Sequence, residues 1–295
     1  MKKQFLTPTE VAEMLQLKKN TVYDMIKRGD LKASKMGKQF RIRLTDVYEY
    51  MGENKGPEDE NNIIICGQDA LLDILCAYFN RGGIKNVKAF RSPLGSYNGL
   101  YEMYQNEGYI ATAHLWDGET DTYNIPFVTK MLPGEQIAVF HLVNRLQGMY
   151  VKKGNPKQIV SIDDLLRKDV VMVNREKGSG IRVYLDEMLK LKGISPKQIK
   201  GYQNKNMATS HLQAAAMIAR GNGDVSFGNE RAGKQVEEIE FIPLKKESYD
   251  MIVRCEDLDK PAYAMLINII QSEEFQEEVQ ALHGYDVTGM GERIF

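Results

Sequence analysis

The sequence predicts a chain of two parts, a small helical unit with a basic hairpin ahead of a larger α/β body. Three observations predict it. Residues 1–51 carry eleven Lys and Arg against six Asp and Glu, a net of +5, while the remaining 244 carry twenty-eight against thirty-four, a net of −6. Gly52–Asn62, GENKGPEDENN, has no apolar side chain and contains Gly and Pro, so it reads as a linker. Beyond it, over residues 63–295, short apolar runs alternate with helical periodicities, the pattern of an α/β domain with mainly parallel strands.

The first unit is justified by local signals. Thr7 is an N-cap with Pro8 behind it and Glu10 at the capping-box position. Val11, Ala12 and Leu15 supply one apolar stripe. A second helix begins near Lys19 or Asn20, with Val22, Met25 and Ile26 inside and Gly29 closing it. Lys18, Lys19, Asn20, Thr21, Tyr23 and Lys27 stay open. Two strands, Leu31–Lys35 and Gln39–Arg43, flank a turn at residues 36–38, and a short helix in LTDVYEYM ends the unit. Lys35, Lys38, Arg41 and Arg43 make the hairpin basic. An open, basic helix start beside a basic hairpin suits a DNA groove and its phosphates. One such helix on a +5 head is a weak binder, so two heads on a homodimer, reading two half-sites of double-stranded DNA, are expected.

LTPTEVAEMLQLKKNTVYDMIKRGDL, the hairpin and LTDVYEYM together resemble the excisionase-type, MerR-like winged helix-turn-helix family. The resemblance covers about a sixth of the chain and implies DNA binding without naming a target sequence.

In the body, strands are expected at Ile63–Cys66, Val87–Phe90, Ile110–His114, Gln136–Val143, Gly148–Lys152, Val170–Val173, Asp224–Phe227, near Phe241, and at Tyr249–Arg254. Helices are expected at Asp69–Asn80, Tyr97–Asn106, Ile162–Leu166, Gly180–Lys192 and Ser210–Arg220, with two more at the C-terminus. Four strand-to-helix junctions are rich in small polar residues: Gly67–Asp69, Ser92–Ser96 around Gly95, Asn174–Arg182, and Gly228–Asn229. Each alone is an ordinary turn. Four in one chain suggest a shared cleft, because free N–H groups at helix N-termini make an anion site.

AHLWDGETDTYNIPFV, NRLQGMYVKKGNPKQIVSIDDL, VNREKGSGIRVYLDEML, SHLQAAAMIARGNGDVSFG and PLKKESYDMIV resemble the cytoplasmic relatives of periplasmic substrate-binding proteins. The body is similar to the molybdate- and tungstate-binding group in particular. The resemblance implies a two-lobed type II periplasmic-binding-protein-like fold, with the lobes joined by crossing strands and the ligand between them. In that group Ser hydroxyls and main-chain N–H groups hold a tetrahedral oxyanion. By position, Gln68 and Asp69 fall on the first binding loop, Ser92 and Ser96 on the second, and Ser179 with Gly180 on a second-lobe loop. Arg145, Gln147 and Arg182 are expected near the cleft; His114, His211 and Gly228 lie at matching strand or helix ends. The first loop, GQD, lacks a Ser or Thr, which leaves a carboxylate or phosphorylated ligand open.

Several classes are excluded. No apolar run approaches the ~20 residues that span a bilayer, and the chain opens directly into the helix pattern with no signal peptide. Cys66, Cys76 and Cys255 are scattered, as suits buried thiols in a reducing cytoplasm and neither a disulfide framework nor a zinc site. His114, His141, His211 and His283 show no metal-ligand spacing. SPLGSYNG is not a nucleophile elbow, and Ser96 and Ser179 lack a paired base. No cofactor, metal or catalytic set is expected. The reading is a cytoplasmic one-component regulator that binds operator DNA and senses a small anion, with molybdate or tungstate as the implied effector. The alternatives are a sensor of a small organic metabolite, an excisionase-type architectural protein without a ligand, and an enzyme carrying a DNA-targeting head.

Overall fold

A capping box starts the first helix. The Thr7 hydroxyl oxygen accepts the Glu10 N–H at 3.3 Å, and the Glu10 carboxylate accepts the Thr7 N–H at 2.7 Å. This computed structural model describes residues 5–15, 17–36, 39–50, 62–105, 109–203 and 207–295. Its internal contacts divide it into two units, Met1–Asn62 and Ile63–Phe295. The expected linker lies outside the described residues except for Asn62, as does Lys38.

The first unit runs β1 (Phe5–Leu6), α1 (Pro8–Met14), α2 (Lys19–Arg28), β2 (Ser34–Met36), β3 (Gln39–Arg43) and α3 (Leu44–Tyr50). Val11, Ala12, Val22, Met25, Leu31, Ile42 and Val47 form its core. Gly29 ends α2 in the left-handed region at φ +83°, which its missing Cβ permits. β1 and β2 flank β3 in an antiparallel sheet, so the hairpin is anchored by a strand that the sequence reading did not include. β2 starts later than expected because Leu31 turns into the core and its N–H bonds to the Met25 carbonyl.

The second unit runs β4 (Ile63–Cys66), α4 (Leu71–Arg81), β5 (Ala89–Ser92), α5 (Ser96–Gln105), β6 (Tyr109–Ala113), β7 (Trp116–Asp117), β8 (Thr122–Tyr123), α6 (Ile125–Met131) and β9 (Ile137–Lys152). It continues with α7 (Gly180–Leu191), α8 (His211–Ala219), β10 (Val225–Asn229), α9 (Glu230–Gly233), β11 (Ile239–Arg254), α10 (Pro261–Gln271) and α11 (Glu273–Ala281). One six-stranded sheet has the order β10-β9-β11-β6-β4-β5. Among the described strands of this sheet, β4–β5 and β4–β6 pair in parallel and the other pairs are antiparallel, so the expectation of mainly parallel strands is corrected to a mixed sheet.

The largest correction concerns the sheet centre. Gln136–Val143 and Gly148–Lys152 are parts of one sixteen-residue strand, β9, and the strands near Phe241 and at Tyr249–Arg254 are parts of another, β11. The polar stretches between them looked like breaks. They are where the two strands cross from one lobe to the other, paired antiparallel with register shifts at Pro243/Lys245 and Tyr249/Asp250. Val170–Val173 forms no strand of its own; Met172 makes a single bridge to Val225 while the Val171 N–H is taken by the Asp224 carboxylate. Ile162–Leu166 is a 3-10 turn.

Two lobes share this sheet. The first packs Leu71, Leu75, Phe79, Tyr263, Leu266 and Phe275 beneath β4, β6 and the outer halves of β9 and β11. The second packs Met149, Val151, Ile181, Leu185, Val225 and Phe227. No helix among the described residues is long and apolar enough to cross a membrane.

Gly148 sits on β9 opposite Pro243 of β11. A Cβ there would lie 2.1 Å from the Ile242 carbonyl oxygen, which is backbone and cannot rotate away. Gly148→Ala is expected to destabilise the body by ~1–3 kcal/mol, the range for overpacking. A thermal melt of the full chain checks this; an unchanged midpoint would show that the crossing strands move apart freely.

Candidate functional site

Arg145 and Glu247 are register partners on β9 and β11 at the point where the strands cross. The Arg145 Nε–H donates to Glu247 Oε1 at 2.5 Å, and its NH1 group donates to Asp69 from the first loop. Its guanidinium lies 4.3 Å from the Tyr249 ring centroid. Asp69 also accepts the Leu71 N–H and the Tyr285 hydroxyl, and Glu247 Oε2 pairs with His114 Nδ1 at 2.7 Å. All these charged groups are buried. Burial alone would raise the Glu247 carboxyl, but His114 and Arg145 outweigh it and hold it below its ordinary value. Burial opposes charge on Arg145 as well, and Glu247 and Asp69 hold it above its ordinary value.

The second lobe presents a matching pair. Arg175, 1 % exposed, donates to Gln68 Oε1 at 2.8 Å and to both oxygens of Glu176. His211 Nδ1 lies 3.0 Å from Arg175 NH1 and accepts the Asn229 N–H at 3.3 Å. A nitrogen that accepts from a guanidinium and an amide carries no proton, so the His211 proton is on Nε2. Burial, then Arg175, Arg145 and His114, push the His211 pKa well below its ordinary value.

A pocket between the lobes is lined by Gln68, Asp69, Gly95, Ser96, His114, Arg145, Gly180 and His211, all anticipated. Gly67, Leu94, Thr112 and Tyr249 complete it. Four helices, α4, α5, α7 and α8, begin beside it, so their N-terminal dipoles converge. The glycines are required by close approach. A Cβ on Gly180 would stand 2.5 Å from His114 Nε2, and one on Gly95 would stand 2.7 Å from the Gly178 carbonyl oxygen. The Ser96 oxygen accepts the His114 main-chain N–H at 3.3 Å, leaving its own hydrogen to rotate toward the pocket.

The lobes hold each other across this pocket. Gln68 Nε2 donates to Glu176 at 2.9 Å and to the Thr209 carbonyl at 3.1 Å, and the Tyr97 N–H donates to the Gly178 carbonyl at 2.9 Å. The space left inside the pocket is about 10 Å³, room for about one water. A larger ligand requires the lobes to part.

The other anticipated residues stand away from this lining. Ser179 donates to the Glu176 carbonyl at 3.0 Å, and Arg182 bonds Asp186 and the Arg175 carbonyl and stacks on Tyr202. Gly228 packs on the Tyr150 ring, and Ser92 sits at the end of β5 with its carbonyl accepting the Gly67 and Leu94 N–H groups. Gln147 donates to the Tyr123 hydroxyl at 2.8 Å, and Trp116 packs on Tyr184. Glu247, Arg175, Thr112 and Tyr249 are residues that sequence reasoning missed. Arg175 lies in Asn174–Arg182, one of the junctions read from the sequence, and an arginine inside such a junction is the signal that was available.

On the first unit, Lys18, Lys19, Asn20, Thr21 and Lys27 are exposed along α2, and Arg43 is exposed on β3. Tyr23 is half-buried with its ring edge-on to Phe40 at 6.0 Å. Arg41 is half-buried and tied within the hairpin to Gln39 and the Phe40 carbonyl. The first turn of α2 therefore offers the freest polar groups, while Tyr23 and Arg41 also hold the hairpin in place.

A family model for the PBP superfamily domain matches residues 79–271. The chain belongs to the PBP superfamily. A second model, for a helix-turn-helix domain, matches residues 5–55. This PBP-superfamily chain is 36 % identical over 307 aligned residues to the uncharacterized protein YvgK of Bacillus subtilis (strain 168), covering 98 % of this chain and 97 % of that one. Among solved structures it is similar to a putative phosphate ABC transporter substrate-binding protein with bound phosphate from Clostridium perfringens. The TM-score is 0.57 at 14 % identity, over 77 % of this chain and 100 % of that one. It is also similar to the sulfate-binding protein SubI of Mycobacterium tuberculosis H37Rv, with a TM-score of 0.52 at 15 % identity, over 76 % and 85 %. These structures establish the shared fold. A DNA-binding helix-turn-helix domain joined to a PBP-superfamily ligand-binding domain fits a ligand-responsive regulator.

The neutral His211 has a consequence for stability. An unfolded chain protonates this histidine below its ordinary value of 6.5, while the folded state resists. The stability it contributes is present above that pH and is lost as the pH falls below it. His211→Asn, whose carbonyl oxygen can replace Nδ1, should flatten the decline. Denaturant titrations of both proteins from about pH 7 to about pH 5 check this; parallel declines would contradict it.

Proposed function

We propose that this chain is a one-component, cytoplasmic transcriptional regulator that binds double-stranded operator DNA as a homodimer and senses a small oxyanion in the cleft. The observation carrying the ligand class is the convergence of four helix N-termini on a pocket whose arginines are already paired. Such a pocket offers N–H groups, the Ser96 hydroxyl and the His211 Nε2–H, donors that suit an oxyanion without a free full charge opposite it. The bonds from Gln68 to Arg175 and Glu176 would give way as the anion enters. The proteins of the same fold that bind phosphate and sulfate support the class. Molybdate and tungstate are the members favoured by the sequence resemblance.

A second reading is a small organic anion with a donor of its own. The first loop, Gly67–Asp69, lacks a Ser or Thr and puts the Asp69 carboxylate on the lining, and a carboxylate suits a ligand that brings its own hydroxyl or amide donor. In either reading, ligand control of DNA binding requires that the anion favour one lobe arrangement over the other. A coupling of ~1–3 kcal/mol, 5- to 150-fold in DNA affinity, is the ordinary range.

Two experiments test the proposal. In calorimetric titration of the full chain with molybdate, tungstate, sulfate and phosphate, at least one ion should bind, and Ser96→Ala should weaken it ~10- to 100-fold. Silence with all four would remove the oxyanion reading. In gel shifts, Lys19→Ala should weaken operator binding, and Arg41→Ala should weaken binding to every sequence and flatten its salt dependence. Unchanged affinity in both variants would remove α2 and the hairpin as the DNA-facing surface.

A further inference from the structure

His114 and His211 face each other across the pocket with ring centroids 6.1 Å apart, yet their partners are opposite in kind. His211 Nδ1 accepts, from Arg175 and from the Asn229 amide, which fixes His211 as a neutral Nε2–H donor. His114 Nδ1 meets the Glu247 carboxylate at 2.7 Å and therefore donates. Its Nε2, beside Gly180 at the start of α7, is the ring nitrogen that this pairing leaves without a proton in the neutral ring.

The charges around His114 oppose one another. Toward a positive ring stand Glu247 on β11 and, through Arg145, Asp69 on the loop before α4. Arg145, Asp69 and Glu247 together carry one net negative charge, which a proton on His114 would cancel. Against it stand Arg145 itself on β9, the N-terminus of α7 at Gly180, and Arg175, the last partly balanced by Glu176. Tyr249 and Ser96 also touch His114, Tyr249 edge-on at 6.0 Å and Ser96 at the main-chain N–H, and both are neutral. An anion among the helix N-termini would cancel the opposing set and leave the carboxylates unopposed.

We propose that the pocket takes up its anion together with a proton, held on His114 Nε2. The inference rests on the oxyanion reading of the same site and sharpens it. With neutral His114, the bare Nε2 turns a lone pair toward the anion and the Arg145 cluster remains net negative. With the proton in place, both histidines present Nε2–H donors from opposite lobes, so the proton also helps hold the lobes together. His114 then sets the charge that the site accepts.

The test uses the full chain and three ions that stay fully ionised near neutrality: sulfate, molybdate and tungstate. Affinity is measured by calorimetry from about pH 6 to about pH 9. Wild-type affinity should fall with rising pH, approaching ~10-fold per unit on the alkaline side, as one linked proton requires. In His114→Gln the profile should be flat. In parallel, imidazole nitrogen chemical shifts of the chain without added anion should show His211 as Nε2–H throughout and His114 with its lone proton on Nδ1 at the alkaline end. Binding with the same slope in wild type and His114→Gln overturns the proton uptake and leaves the oxyanion reading intact. A His114 found as the Nε2–H form, or a His211 that gains a proton in this range, overturns it as well. Failure of all three ions to bind overturns the proton uptake, and silence with phosphate as well overturns the oxyanion reading with it.

Discussion

Arg145 is the group on which the cleft depends. It lies on the strand that leaves the first lobe, bonds its register partner Glu247 on the returning strand, and reaches back to Asp69 on the loop before α4. Three segments far apart in sequence are thereby fixed around one buried cation. Taking these charges out of water is costly, and the arrangement holds only because each is paired and hydrogen-bonded. Tyr249 covers the face of the guanidinium, and Tyr285 adds a second donor to the Asp69 oxygen that also accepts the Leu71 N–H. The pocket is then built on charged groups that are already paired and hydrogen-bonded, so what faces a ligand is chiefly uncharged donors.

The same logic operates on the second lobe with a different outcome. Arg175 is matched by Glu176 and by the Gln68 carbonyl oxygen, and its remaining N–H groups determine which nitrogen of His211 holds the proton. Gln68 is the side chain that belongs to both sides: it sits on the first loop and makes its bonds to the second lobe. Opening the cleft breaks those bonds, and a ligand that replaces them shifts the balance between open and closed. This is how a binding fold becomes a sensor: an anion changes the relative free energy of two arrangements that the chain can already adopt. The glycines at 95 and 180 let the loops come close enough for that balance to be sharp.

Much of this was legible locally and much was not. Thr7, Pro8, Glu10 and Gly29 announce their helix through chemistry within a few residues, and the structure places a capping box and a left-handed cap there. The small polar junctions before α5 and α7 were legible for the same reason, since Ser96 and Gly180 start their helices. The long crossing strands were not. NRLQ and PLKKES read as breaks because their polarity is explained only by pairing 102 residues apart, between Arg145 and Glu247. Strand direction was equally hidden, because side-chain alternation is the same in parallel and antiparallel ladders. Ser179 and Arg182 were drawn to the cleft by their position at a loop, whereas their bonds run to Glu176 and Asp186 beside it. Which face of a loop a side chain takes is set by neighbours that the local sequence does not name.

The most direct measurement is a double-mutant cycle on the crossing pair, using Arg145→Met and Glu247→Gln with stability read by denaturant unfolding of the full chain. Arg145→Met alone strands two buried carboxylates and should cost ~3–5 kcal/mol. Adding Glu247→Gln should recover part of that loss, giving a coupling of ~0.5–3 kcal/mol between residues in contact. Strictly additive losses would show that Arg145 and Glu247 act independently, and the cleft would then not depend on the charge pair at its centre.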